Sequence, residues 1–137
     1  MMSLFKDRRD AMFGLLTQHG LTPPHAHAIH VLQHGPTRMR DLAEQMTCDA
    51  SYITAIVDKL EERGLAERRP GATDRRVKEI ALTPAGVALA AEVADVMTAA
   101  PAEFDRLTRA ERATLAALLA KVVPDPVSDP MAFPARR

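Results

Sequence analysis

Tryptophan is absent from this 137-residue chain, and cysteine and tyrosine occur once each, as Cys48 and Tyr52. A single thiol excludes an intrachain disulfide and points to a reducing compartment. The formal net charge is zero, with 18 Lys and Arg against 18 Asp and Glu, so the uniformly basic surface of many nucleic-acid binders is missing. No uninterrupted apolar run approaches the roughly 18 residues that a membrane span needs. The first apolar residues are broken by Lys6, Asp7, Arg8, Arg9 and Asp10, so neither a signal peptide nor a membrane helix is expected. A soluble cytoplasmic protein with one modest core follows. Glycine-rich phosphate loops and nucleophile motifs are also missing, and Ser51 has no His and acid partner in a recognisable arrangement. Neither an enzyme nor a bound cofactor or metal is expected.

What is present is an uneven distribution of charge. Between Glu67 and Lys78 the bases Arg68, Arg69, Arg75, Arg76 and Lys78 face only the acids Glu67 and Asp74. Between Glu92 and Asp105 the chain has Glu92, Asp95, Glu103 and Asp105 and no Lys or Arg. The neutral sum therefore hides a basic region suited to a polyanion.

Helix starts are well marked. Thr22-Pro23, Thr83-Pro84 and the Thr108-x-x-Glu111 capping box each set a hydroxyl before a residue suited to a first turn. Ala26, Ile29 and Leu32 repeat at helical spacing up to the stop at Gly35-Pro36. Leu42, Ala43 and Met46 belong to a second short helix, and Asp49 caps a third whose Ile53, Ile56, Val57 and Leu60 share one face. After Gly64 the period changes. The runs "LAERR" and "RVKEIAL" around Pro70-Gly71 fit a hairpin with a charged tip. A long Ala- and Val-rich helix to about residue 100 and a last one from Thr108 to about Val123 follow, and the tail "PDPVSDPMAFPARR" has too many prolines for regular structure.

Three helices followed by a hairpin are the layout of a winged helix-turn-helix. The fold expected is thus mainly α with a small β-hairpin. A B-DNA major groove admits one helix, and a hairpin beside it can lay arginines on phosphates or in the minor groove. The lobe spans residues 22–83 with its wing at 66–82, flanked by helical segments 1–21 and 84–123 and by the tail 124–137.

The stretches "LTPPHAHAIHVLQHG", "RDLAEQMTCDASYITAIVDKLEERGLAERRPGATDRRVKEIALTPAGVAL" and "LTRAERATLAALLAKV" resemble, in that order, a MarR-type transcription regulator. The D-x-S-x-I-T helix, L-E-x-R-G-L-x-x-R, D-R-R and L-T-x-x-G are its most specific part. The resemblance implies a homodimer on double-stranded DNA, with terminal helices at the dimer interface and a small-molecule effector site between interface and lobe. Ser51, Tyr52, Thr54 and Ala55 would then face the groove, with Arg69, Arg75 and Arg76 on the wing and Arg38 before the second helix reaching a phosphate. Asp74 is expected to hold an arginine of its own hairpin. Ala50 and Ala55 stand where relatives often carry arginine, which weakens the case for guanine readout.

His27, His30 and His34 form one stripe, with His25 and His19 nearby. Imidazoles at this spacing can share a metal, but no acids or thiols accompany them, so solvated histidines or contacts from His27 and His30 to an organic effector compete with a metal-responsive regulator. A winged-helix interaction module without DNA binding is the rival class, and a wing rich in arginine is what it would not need. Dimerisation is also argued by apolar surplus: Leu4, Phe5, Met12, Phe13, Leu15 and Leu16 at one end, and Leu115, Leu118, Leu119, Val122 and Val123 at the other. The twenty residues before "LTPP" are fewer than relatives usually carry, so Met131 and Phe133 of the tail are expected to anchor on the partner.

Overall fold

The computed structural model describes residues 2–99 and 102–122. The elements run α1 (Met2–Gln18), α2 (Pro23–Leu32), β1 (Thr37–Arg38), α3 (Met39–Gln45), α4 (Ala50–Glu62), β2 (Ala66–Pro70), β3 (Lys78–Leu82), α5 (Pro84–Thr98), a 3-10 turn (Ala102–Arg106) and α6 (Arg109–Val122). Leu4 and Phe5 carry no described side chains, and Val123 and the tail with Met131 and Phe133 lie outside the described residues. No described helix is long and apolar enough to cross a membrane.

The caps explain the helix starts. Asp49 accepts a hydrogen bond from the Tyr52 amide at 2.8 Å, and Thr83 Oγ1 accepts from Gly86 at 3.1 Å. Thr108 and Glu111 form the reciprocal box, with the Thr108 amide donating to Glu111 Oε2 at 2.7 Å. At Thr22 the reciprocal partner is a histidine, since the Thr22 amide donates to His25 Nδ1 at 3.1 Å. That role needs an unprotonated ring nitrogen. Burial, with Lys59 nearby, pushes the His25 pKa below its ordinary 6.5, against the pull of the Thr22 contact. A lowered histidine pKa stabilises the folded state fully above 6.5, and the gain is lost as pH falls below it. Urea midpoints should therefore drop from pH 8 to pH 5, and less steeply in His25→Gln, which keeps an acceptor that does not titrate.

The core gathers Leu16, Ile29, Leu42, Ile53, Leu60, Ile80 and Leu89, each at most 1% exposed. Close approach seals one corner of it. The Thr83 amide donates to the Leu65 carbonyl, the Thr83 hydroxyl to the Gly64 carbonyl, and a Cβ at Gly86 would run into the Leu65 oxygen. This is the physical reason for glycine in L-T-x-x-G: α5 lies directly on the chain entering the wing.

The hairpin is part of a larger sheet than the sequence suggests. Antiparallel strands run in the order β1-β3-β2, with Thr37 opposite Ile80 and Arg38 opposite Glu79. A two-residue strand after Gly35-Pro36 carries no alternation that could announce it, and its pairing partner lies some forty residues on. At the other end, α6 buries none of its residues: Leu118, Leu119 and Val122 are 54%, 50% and 77% exposed. Phe13 of α1 is similarly bare at 49%.

Candidate nucleic-acid interface

Helix α4 divides cleanly. Ile53, Ile56, Val57 and Leu60 are buried, while Ala50, Ser51, Tyr52, Thr54 and Ala55 are exposed. The outward residues carry no packing duty, so they are available to a ligand the size of a nucleic-acid groove. Ser51 Oγ donates to Asp49 Oδ1 and Thr54 Oγ1 to the Ala50 carbonyl, both at 2.8 Å. The bond from the Tyr52 amide first, and then that from Ser51, hold the Asp49 carboxyl below its usual pKa. Ala50 and Thr54 also border an open cleft of about 670 Å³ between α3 and α4, shared with Met39, Arg40 and Cys48. Arg40, which sequence reasoning passed over, is exposed there and paired with Glu44 at 2.9 Å. Its signal was its place in the helix before the turn. Cys48 is half-buried against the core, its thiol donating to the Met46 carbonyl at 3.2 Å.

The sheet separates two adjacent arginines. On β2, Arg68 stands opposite the buried Ile80, and Arg69 stands opposite Glu79, which also faces Arg38 on β1. Strand alternation thus sends Arg68 to the core side and puts Arg69 and Arg38 in the outer row. Arg68 is held there by Asp58 Oδ1 at 2.6 Å and by Glu61, whose other carboxylate oxygen accepts the Arg68 amide at 2.9 Å. Its guanidinium is raised above its ordinary pKa, first by the bond to Asp58. Of the basic residues in the wing segment, this one ties β2 to α4. Replacing it with alanine should cost about 1 kcal/mol in urea unfolding, since the group is partly screened by solvent, whereas Arg75→Ala should leave stability unchanged.

Arg75 and Arg76 are exposed in the turn between the strands. The turn is closed by the Gly71 amide on the Val77 carbonyl at 2.7 Å and the Val77 amide on the Asp74 carbonyl at 3.1 Å. Asp74 does reach an arginine of its own hairpin, but the donor at 2.9 Å is the Arg76 backbone amide. An aspartate that accepts from the amide two residues on mimics a backbone turn, so it shapes the turn and leaves the Arg76 side chain to solvent.

A second cavity of about 180 Å³ lies between α2 and α5, lined by Ile29, His30, Gln33, Val93 and Met97 among others. Of the two histidines considered for an effector, His30 borders it and His27 is not in its lining. The His30 ring takes Gln33 Nε2 at 2.8 Å on Nδ1 and meets His34 edge-on at 5.4 Å. Among the described residues no three His, Cys, Asp or Glu side chains converge as a metal site would require.

A MarR family model matches residues 21–78. A Thauera aromatica protein named as a candidate transcriptional regulator for the hcr operon is 34% identical over 79% of the chain. The chain belongs to the MarR family. It spans 66% of that relative's length. The crystal structure of YusO from Bacillus subtilis superposes with a TM-score of 0.76, at 28% identity, over 91% of this chain and 90% of YusO. MepR of Staphylococcus aureus, solved on DNA, shares the MarR fold at 22% identity and a TM-score of 0.64, covering 86% of this chain and 91% of its own. The mainly helical architecture with a three-stranded wing sheet and terminal helices is thus that of the family, whose named members are regulators rather than catalysts.

Proposed function

We propose that the protein is a sequence-specific DNA-binding transcription regulator that works as a homodimer on an inverted-repeat operator. One observation carries the reading: α4 turns Ser51, Tyr52, Thr54 and Ala55 outward, and Arg75 and Arg76 are exposed in a turn closed by backbone bonds and Asp74. In this reading Ser51, Tyr52, Thr54 and Ala55 enter the major groove, and Arg38, Arg69, Arg75 and Arg76 meet phosphates. Residues 22–83 form the reading lobe, and segments 1–21 and 84–123 the dimer. Occupying an operator across two half-sites excludes other proteins from it, which favours repression.

The small-molecule part of the proposal rests on the cavity between α2 and α5. It is apolar, with His30 and Gln33 at one side, which suits a flat aromatic or anionic effector. Such a ligand alters DNA affinity only by binding one arrangement of the lobes better than the other.

Retention on random-sequence duplex at low salt, followed by enrichment of particular sequences from a random pool, tests the function. A winged-helix interaction module would show neither. Binding without enrichment would leave a non-specific polyanion binder.

A further inference from the structure

The outer face of α4 has a chemical bias that the residue types alone do not show. A serine or threonine hydroxyl has one proton to give and lone pairs to accept with. Here both protons are already committed, Ser51's to the Asp49 carboxylate and Thr54's to the Ala50 carbonyl. The neighbouring groups on this face are the methyls of Ala50 and Ala55, the carboxylate of Asp49 and the phenol of Tyr52, whose hydroxyl can donate as well as accept. Further along, Asp58 is occupied by Arg68, and Lys59 by Glu62 at 2.9 Å. Across the cleft the exposed Arg40 guanidinium bonds Glu44 through Nε alone, so its terminal N–H groups can still donate. Ser51, Thr54, Ala50, Ala55 and Asp49 therefore offer acceptors and methyl groups, and the donors near them are the Tyr52 hydroxyl and the terminal N–H groups of Arg40.

Base edges in the major groove divide along the same line. Guanine presents two acceptors, N7 and O6, and requires a donor; adenine N6 and cytosine N4 present amino protons, and thymine presents a methyl group. Resting on the reading of α4 as the groove helix, we infer that Ser51, Thr54, Ala50 and Ala55 recognise the half-site through thymine methyls and the amino groups of adenine or cytosine, and that none of them contacts guanine in the major groove. Asp49 strengthens the bias. An ionised carboxylate beside Ser51 accepts from cytosine N4 but repels the acceptor edge of guanine. Turning either hydroxyl round to donate would break its present bond and leave Asp49 or the Ala50 carbonyl with one partner fewer, so the bias resists simple rotation.

The experiment uses the full chain and the best duplex enriched from a random pool, with single base analogues placed at every position. Deoxyuridine removes the thymine methyl, purine riboside removes the adenine amino group, and 7-deazaguanine removes guanine N7. Deoxyuridine or purine riboside is expected to weaken binding about tenfold at one or more positions in each half-site, the usual scale for one lost base-pair contact. In Arg40→Gln combined with Tyr52→Phe, the 7-deazaguanine series is expected to stay within about twofold throughout. Thr54→Val, which keeps the shape and removes the acceptor, should lose sensitivity to the amino-group analogue while keeping sensitivity to the methyl. Ala55→Arg added to that double variant should create a guanine dependence that the double variant lacks. A tenfold loss with 7-deazaguanine that persists in the Arg40→Gln, Tyr52→Phe double variant overturns the inference, because Ser51 or Thr54 must then donate. Indifference to both the methyl and the amino analogues overturns it too, leaving shape alone as the source of specificity. Failure to enrich any duplex is a different result, because it removes the proposed function itself.

Discussion

Reversing Arg75 and Arg76 to glutamate is expected to weaken binding to operator and random duplex alike, about 100-fold at 0.1 M salt. Each phosphate neutralised contributes about 0.9 to the slope of log affinity against log salt, so losing two flattens it by about 1.8 units. Over the decade from 1 M to 0.1 M salt that alone is a factor of about 60, and the added negative charges repel further. The preferred sequence should not change, because contacts to phosphates position a protein without reading bases. Fold stability should not change either, since both side chains are exposed and the turn is closed by backbone bonds and Asp74. Fluorescence anisotropy over a salt series measures both slopes. A loss confined to one sequence would contradict the placement of the wing on the backbone.

The proposed dimer carries the other large effect. Replacing Leu118 and Leu119 with lysine is expected to yield a folded monomer that binds specific DNA about 10²- to 10⁴-fold more weakly, the range that linking two binding modules supplies. Elsewhere in a small domain two such substitutions would threaten folding, but α6 buries no residue against its own lobe. Its Leu118, Leu119 and Val122, with Phe13 of α1, offer apolar surface that a second copy would cover. A two-fold axis there predicts half-sites about one helical turn apart. Light scattering over a dilution series is the check: a wild-type monomer at micromolar concentration would remove the dimer, and an unchanged dimer in the double variant would move the interface elsewhere.

The two adjacent arginines of β2 show how far residue spacing reaches. Alternation in "LAERR" contained the answer, because Ala66 and Arg68 fall on one side of the strand and Glu67 and Arg69 on the other. Composition alone grouped all the arginines as a wing surface. That Arg68 would find Asp58 and Glu61 depended on how β2 lies against α4, and the sheet register supplies that. The same holds for β1. Its two residues gain their role only from Glu79 and Ile80 on a strand formed much later in the chain.

By itself the sequence determined the capped helices, the buried stripe of α4 and the limits of the wing hairpin. These depend on side chains within a few positions of one another, where backbone geometry fixes which atoms meet. Only the tertiary structure decided which histidine borders a cavity and which arginine is held inward. Those outcomes turn on rotamers and on contacts between separate elements. Each charged or polar group takes whichever partner the packing brings within hydrogen-bond distance, and residue order does not specify that partner.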